Sequence, residues 1–405
     1  MASSRAARPQ STPSVQDKSG SHLRLKFFNL ATGFDMHFFV LLMIILIVGL
    51  ATLYSASHVY AFNYNDGDSF FYIRKQAIFA GLCLVAMLGI SMVDYHVLHR
   101  FAWIIWLVSI GLLVLPLVMP SATGIRRWVH LGSISFQPSE IAKFALVLLF
   151  AHLISLNHKK LKKFFTGFIP LLVLLGITCA LVVIEPHLSG TLLIGILGFA
   201  MMYIGGVRIG YLLGVLGVGA AGVFFMIAVL GYEQDRIAVW LHPLESFANE
   251  IQFADGLSGR DHAWQTVQSL YAIGSGGLLG QGPGNSRQKH LFLPEPQNDF
   301  IFSVFCEEMG LIGAVLVLLL FALLMWRGFK IAMKAPDKFG CMLALGLTLQ
   351  IGIQVAINVA VVSNLLPNTG ISLPFFSYGG TSILMLMAQM GVVLSVSRQS
   401  KMEKL

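Results

Sequence analysis

Long apolar runs separated by short polar stretches set the pattern of this chain. Spanning a bilayer takes about 20 mostly apolar residues, and ten segments qualify, beginning near residues 38, 75, 101, 139, 166, 188, 210, 300, 341 and 376. They predict an all-α integral membrane protein with about ten transmembrane helices and both termini on one side. Residues 1–35 hold Ser, Pro, Arg and Lys with no apolar period. They read as a disordered tail and not as a signal peptide, whose charged region is far shorter, so the first span is expected to stay uncleaved. The polytopic domain is expected over 36–397, followed by a short tail at 398–405. One large connection, residues 232–299, has apolar stretches near Trp240 and Leu270 without regular alternation, which predicts short helices lying along the membrane surface. Neither a fixed-period repeat nor the inverted halves common in transporters is visible.

Composition supports a bilayer as solvent. Only 11% of the 405 residues are charged against 56% hydrophobic, and mean hydropathy is +0.76, where a soluble chain carries about 25% charged residues. A soluble globular protein is thereby excluded. The net charge of +8 then becomes a topology signal. Eighteen Lys and Arg fall on the side of the tail and eight on the other, with Lys143 inside a span, which predicts cytosolic termini and an extracytoplasmic 232–299 connection. No basic and aromatic residues interleave on a soluble face, so nucleic-acid binding is excluded. Cys83, Cys179, Cys306 and Cys341 lie in or beside apolar runs without C-x-x-C spacing, which argues against disulfides and structural zinc. His96 and His99 read as polar connectors, and spacing supports no metal site.

Charges that break this pattern are the candidate chemistry. Arg126 and Arg127 sit on the side where basic residues are disfavoured, beside Trp128 and just before Pro138, Glu140 and Lys143. A Lys in a span costs about 2.5–3.5 kcal/mol unless partnered or hydrated. Either Glu140 and Lys143 form an internal pair, three apart on one helical face, or the cations rim a site for an anionic head group such as a phosphate. Glu185 and His187 flank Pro186 in a connection too short to be a solvated loop, which suggests a polar cavity. The glycine-rich run 274–289, ending in Arg287 and Lys289, could offer backbone N–H groups to a phosphate. Asp299 is placed at the mouth of a span, where desolvation raises a carboxylate's proton affinity and makes it a candidate general base, or else a helix N-cap. Glu307 and Glu308, deeper in that span, are expected to pair with a polar or basic group from another span, Lys143 being a candidate. Ser377, Tyr378, Thr381 and Ser382, with Asn358, Asn364 and Asn368 nearby, either line the same cavity or bond helix to helix.

These residues together resemble the SEDS family of peptidoglycan polymerases, whose members include FtsW, RodA and SpoVE. The resemblance runs over nearly all the chain after residue 38. It rests on 124–128 with 136–140, the 186–190 turn, 282–286, 293–302, 307–310 and 374–380; the runs 269–289 and 367–370 look more like the FtsW and SpoVE branch. It implies a glycosyltransferase that polymerises lipid II on the outer face of the cytoplasmic membrane during cell division or sporulation. Asp299 falls on the family's essential aspartate and is implied as general base, with Arg127, Glu140 and Lys143 in the same polar cavity. Arg126, Trp128, Glu185, His187, Arg287, Lys289, Ser377 and Tyr378 complete the substrate-binding set expected here. His187 stands where many relatives carry an aspartate. The implied partners are lipid II, a class B penicillin-binding protein transpeptidase, divisome or sporulation proteins and membrane lipids. A lipid II flippase and a non-catalytic scaffold are the rival readings. No cofactor is required by the sequence, and a divalent cation is compatible with it but not indicated.

Overall fold

The computed structural model describes residues 33–118, 127–131, 134–185, 187–228, 234–248 and 259–402. Arg126, Pro186 and the tail before residue 33 lie outside them. Nine described helices are long and apolar enough to span a bilayer: α1 (Met36–Tyr64), α2 (Phe71–Met92), α3 (His96–Val118), α4 (Pro138–Asn157), α5 (Ile169–Ile184, entered through the π turn Phe164–Phe168), α6 (Leu188–Gly205), α11 (Ile301–Met333), α12 (Lys338–Val362) and α13 (Gly380–Met402). The expected span near residue 210 is the apolar, 20-residue helix α7 (Ile209–Ala228). The described chain is mostly helical, as expected, with one short antiparallel hairpin, β1 (Val129–Leu131) with β2 (Ile134–Phe136), before α4. Its second strand ends at Phe136, Gln137 is the N-cap, and Pro138 then opens α4 at its first turn, where a missing N–H costs nothing. The last helix runs to Met402, beyond the expected boundary at 397.

Three helices form the centre. In α4, α12 and α13, 67% of the most apolar stretch is buried inside the protein, against 28% in α2, α3 and α11; the latter leave much of their apolar surface for lipid. α1 and α11 run antiparallel. At one end the Asp35 carboxylate caps α1 through Phe38 N–H and meets Arg327 at 2.8 Å, while Ser55 and Glu308 meet about five turns further along. The same terminal end holds Ser397, whose hydroxyl accepts from Asp35 N–H at 3.1 Å. At the opposite end Gln76 of α2 reaches Gly379 N–H at 3.3 Å. His96 is a connector, as expected, lying 2.7 Å from Asp94 and 3.7 Å from Asp337.

The connection 232–299 holds α8 (Gln234–Leu241), α9 (Pro243–Ala248) and α10 (Gly259–Gly276). Contrary to the expectation of surface-lying helices, α10 packs into the protein: the buried Ser269 hydroxyl meets Ser303 of α11 at 2.7 Å and Val362 O of α12 at 2.8 Å. Trp240 of α8 and Asn364 exchange side-chain-to-backbone bonds, each 3.1 Å.

The glycine-rich run differs more. α11 is broken at Gly310 (φ 65°, ψ −170°), a conformation a residue with a Cβ rarely adopts. Chain 276–282 lies along the break: Gln281 and Gly282 N–H donate to Glu307 O and Glu308 O at 2.9 and 3.0 Å, and Leu311 N–H donates back to Gly277 O at 2.9 Å. A break in an apolar helix survives where its freed carbonyls find donors. These glycine-loop N–H groups are therefore engaged with α11 and do not cradle a phosphate.

Candidate active site

Glu307 and Glu308 fasten this loop. Glu307 accepts from Ser275 and Ser286 hydroxyls and from the N–H groups of Arg287 and Gln288. Glu308 accepts from Ser55 and lies 2.9 Å from Lys289 Nζ. Both carboxylates are internally paired, Glu308 with Ser55 of another span as expected and Glu307, among the described residues, only with groups of 275–288, and the cation is Lys289 and not Lys143. Lys289 is fully buried and its ammonium also meets Ser55 Oγ at 3.2 Å and Gly284 O at 2.6 Å. Three acceptors occupy its three donors, so Lys289 is a structural cation in this arrangement. Arg287 is exposed.

Lys143 instead pairs with Glu140 at 2.7 Å, both side chains almost fully buried. Of the two sequence readings the internal pair is therefore the one observed, although Glu140 Oε2 has no hydrogen-bond partner among the described residues. Helix pitch explains the pair, since residues three apart in α4 share a face.

Asp299, His187, Arg127 and Lys143 form one electrostatic neighbourhood drawn from four segments. Asp299 is half-buried as a residue, and protein crowds its carboxyl. Burial pushes it up to about 6, Arg127 pulling it down and Glu295 adding to the rise. His187 is held down to about 3 by burial and by the charges of Arg127 and Lys143. It is therefore neutral at physiological pH. Gln137 Nε2 lies 3.4 Å from its Nδ1; with the amide donating, the ring proton sits on Nε2. Arg127 Nε and the hydroxyls of Ser139 and Ser189 are buried without hydrogen-bond partners among the described residues. Trp128 is 41% exposed beside Arg127.

Glu185 is fully buried, with neither carboxylate oxygen hydrogen-bonded among the described residues, and burial alone pushes it up to about 8. Among the described residues no cation contributes to that shift. Ser377 and Tyr378 hold backbone: Ser377 donates to Asn298 O at 2.8 Å and accepts from Leu373 N–H at 2.8 Å, and Tyr378 N–H donates to Gln297 O at 2.9 Å. The Tyr378 ring meets Tyr72 edge-on at 4.9 Å. Their observed role is to tie the stretch before α13 to the stretch before α11. Gln137 and Glu295 acquire roles here that their sequence neighbourhood did not assign; the signal was that each stands within four residues of a charge already singled out. Among the described residues, no three His, Cys, Asp or Glu side chains come together to hold a metal ion.

The family profile described as "Cell cycle protein", spanning FtsW, RodA and SpoVE, matches residues 35–402. Stage V sporulation protein E of Bacillus subtilis (strain 168) is 39% identical over 374 residues, covering 91% of this chain and 98% of that protein. The "Probable peptidoglycan glycosyltransferase FtsW" of Geobacter sp. (strain M18) is 36% identical over 374 residues, with 91% and 98% covered. Among solved structures, a chain from a study of how a peptidoglycan synthase complex coordinates polymerisation and crosslinking superposes with a TM-score of 0.74 at 26% identity, covering 92% of this chain and 99% of that one. Thermus thermophilus RodA superposes with a TM-score of 0.63 at 26% identity, covering 91% and 98%. The length matched, the identity and the shared bundle converge: this chain is a multi-pass membrane protein of the FtsW, RodA and SpoVE family.

Proposed function

We propose that this protein is a peptidoglycan glycosyltransferase that polymerises lipid II at the outer face of the cytoplasmic membrane, with Asp299 as general base. The observation that carries this reading is half-buried Asp299 at the entry to α11, its carboxyl crowded by protein and within electrostatic reach of Arg127. A base poised near neutrality suits deprotonation of a sugar hydroxyl. The 4-hydroxyl oxygen of one lipid II attacks the anomeric carbon of the second chain, and its proton passes to Asp299. The bond from that carbon to the pyrophosphate oxygen breaks, and the electron pair leaves with polyprenyl pyrophosphate. Arg127 stabilises the charge developing on the leaving group, with Lys143 adding field from behind its Glu140 pair. Pyrophosphate is a good leaving group and asks for no acid.

The excess of basic residues on the terminal side supports cytosolic termini, which would place Asp299 outside. The likeness to a chain of a peptidoglycan synthase complex supports a class B penicillin-binding protein as partner, and a divisome or sporulation setting follows from the FtsW and sporulation relatives. Purified protein with its partner, supplied with lipid II and moenomycin, should form glycan strands, and Asp299→Ala should form none while still folding and binding the partner. Lipid II movement across vesicles without strand formation would favour a flippase, and normal division on the Asp299→Ala chain would favour a scaffold.

A further inference from the structure

The three residues that lead into α11 are held from one direction. Gln297 O accepts from Tyr378 N–H at 2.9 Å, Asn298 O from Ser377 Oγ at 2.8 Å, and Asp299 O from Asn358 Nδ2 at 2.8 Å. All three donors belong to α12 or to the stretch between α12 and α13. Asn358 is fully buried one turn before the end of α12, and its amide also donates to Ile371 O at 2.7 Å. One side chain thus ties the backbone of Asp299 to the chain at 371. On the carboxyl side stands Gly370, in the left-handed region at φ +67°, where an added Cβ would lie 3.0 Å from Asp299 Oδ2. The backbone of Gly370 therefore lies against the carboxyl, and a side chain there would be strained at that φ and would press on Asp299 Oδ2.

We infer that Asn358 is a positioning residue for Asp299: together with the Gly370 wall, its two hydrogen bonds set where the carboxylate points. The inference rests on Asp299 being the base. A group merely satisfying two buried carbonyls would contribute to stability and nothing else. A positioning group contributes to turnover, since a displacement of about 1 Å at the reacting atoms can cost about 100-fold.

The test uses full-length protein with its partner in proteoliposomes, measuring the initial rate of glycan formation against lipid II concentration and pH. Three variants are compared: Asn358→Leu, Gly370→Ala, and the control Gln389→Leu, which alters a buried amide of α13 with no hydrogen-bond partner among the described residues. Asn358→Leu is expected to lower kcat about 10- to 100-fold with KM changed less than about threefold, and to displace the acid limb of the rate–pH profile. Gly370→Ala is expected to give the same pattern from the carboxyl side, and Gln389→Leu to behave as wild type. A folded Asn358→Leu with full kcat and an unmoved acid limb overturns the inference. An equal loss in Gln389→Leu also overturns it, by showing a general packing effect. If Asn358→Leu does not fold, Gly370→Ala decides, and unchanged kcat and pH profile there overturn the inference. Wild-type protein that makes no strands would instead defeat the reading of Asp299 as base, and this inference with it.

Discussion

Asp299 concentrates the chemistry at the scale of single residues, and its environment fixes a pH dependence. In the proposed mechanism the carboxylate is the active form, and burial lifts its pKa to about 6, so the rate should climb as pH rises through 6 and level off above it. Arg127 works against the rise caused by burial. Arg127→Gln should therefore move that limb to higher pH, and loss of one donor to the leaving group should cost about 10²–10³ in kcat; rate–pH profiles of the two proteins check both. Glu185 supplies a stability test. Its folded value of about 8 lies above the ordinary carboxylate range, so the unfolded chain releases the proton first, and stability is lost as pH rises from about 4.5 toward 8. Glu185→Gln should accordingly raise the melting temperature more at pH 8 than at pH 5, removing a burden of up to about 3 kcal/mol at pH 7. Equal melting shifts at the two pH values would count against a buried, unpartnered carboxyl.

Charged and polar side chains beside apolar runs were the legible signal, and Asp299, His187 and Arg127, which it picked out, share one electrostatic neighbourhood. The same signal at Lys289 and Ser377 led to structural roles. Sequence position could not separate these cases, because the groups that engage Lys289 and Ser377 come from Ser55, Glu308 and Asn298, lying 234, 19 and 79 residues away.

Among elements, the broken α11 governs how the loop before Asp299 is built. Hydropathy shows one continuous span there and hides the break, since Gly310 inside an apolar run looks like any helical glycine. The glycine cluster at 274–284 was the other half of the same feature, and only the pairing of the two explains both. Lys289 and Glu308 lock the arrangement from within the bundle. Lys289→Met leaves a buried carboxylate unpaired and should destabilise by about 3–5 kcal/mol. Lys289→Met with Glu308→Leu should recover part of that loss, because replacing both partners leaves no buried charge. Thermal unfolding of the single and double variants in detergent measures this, and a double variant worse than the sum of its parts would contradict the pairing.

For the whole molecule, hydropathy gave the helices and their order, missing the hairpin before α4 and the inward packing of α10. The hairpin is a local pairing of 129–131 with 134–136, whereas α10 is drawn in by distant Ser303 and Val362. Orientation is open to direct measurement. In a cysteine-free background, Arg287→Cys on the Asp299 end should react with a membrane-impermeant maleimide from outside intact cells, and Lys334→Cys only after lysis. The central claim is tested most directly by the initial rate of glycan formation from lipid II, measured for the wild-type and Asp299→Asn proteins, each with its transpeptidase partner, in proteoliposomes at pH 7.5. The account predicts strands from the wild type and a rate at least about 100-fold lower from a folded, partner-bound Asp299→Asn, the scale of a lost general base. Strand formation by Asp299→Asn at the wild-type rate would contradict it.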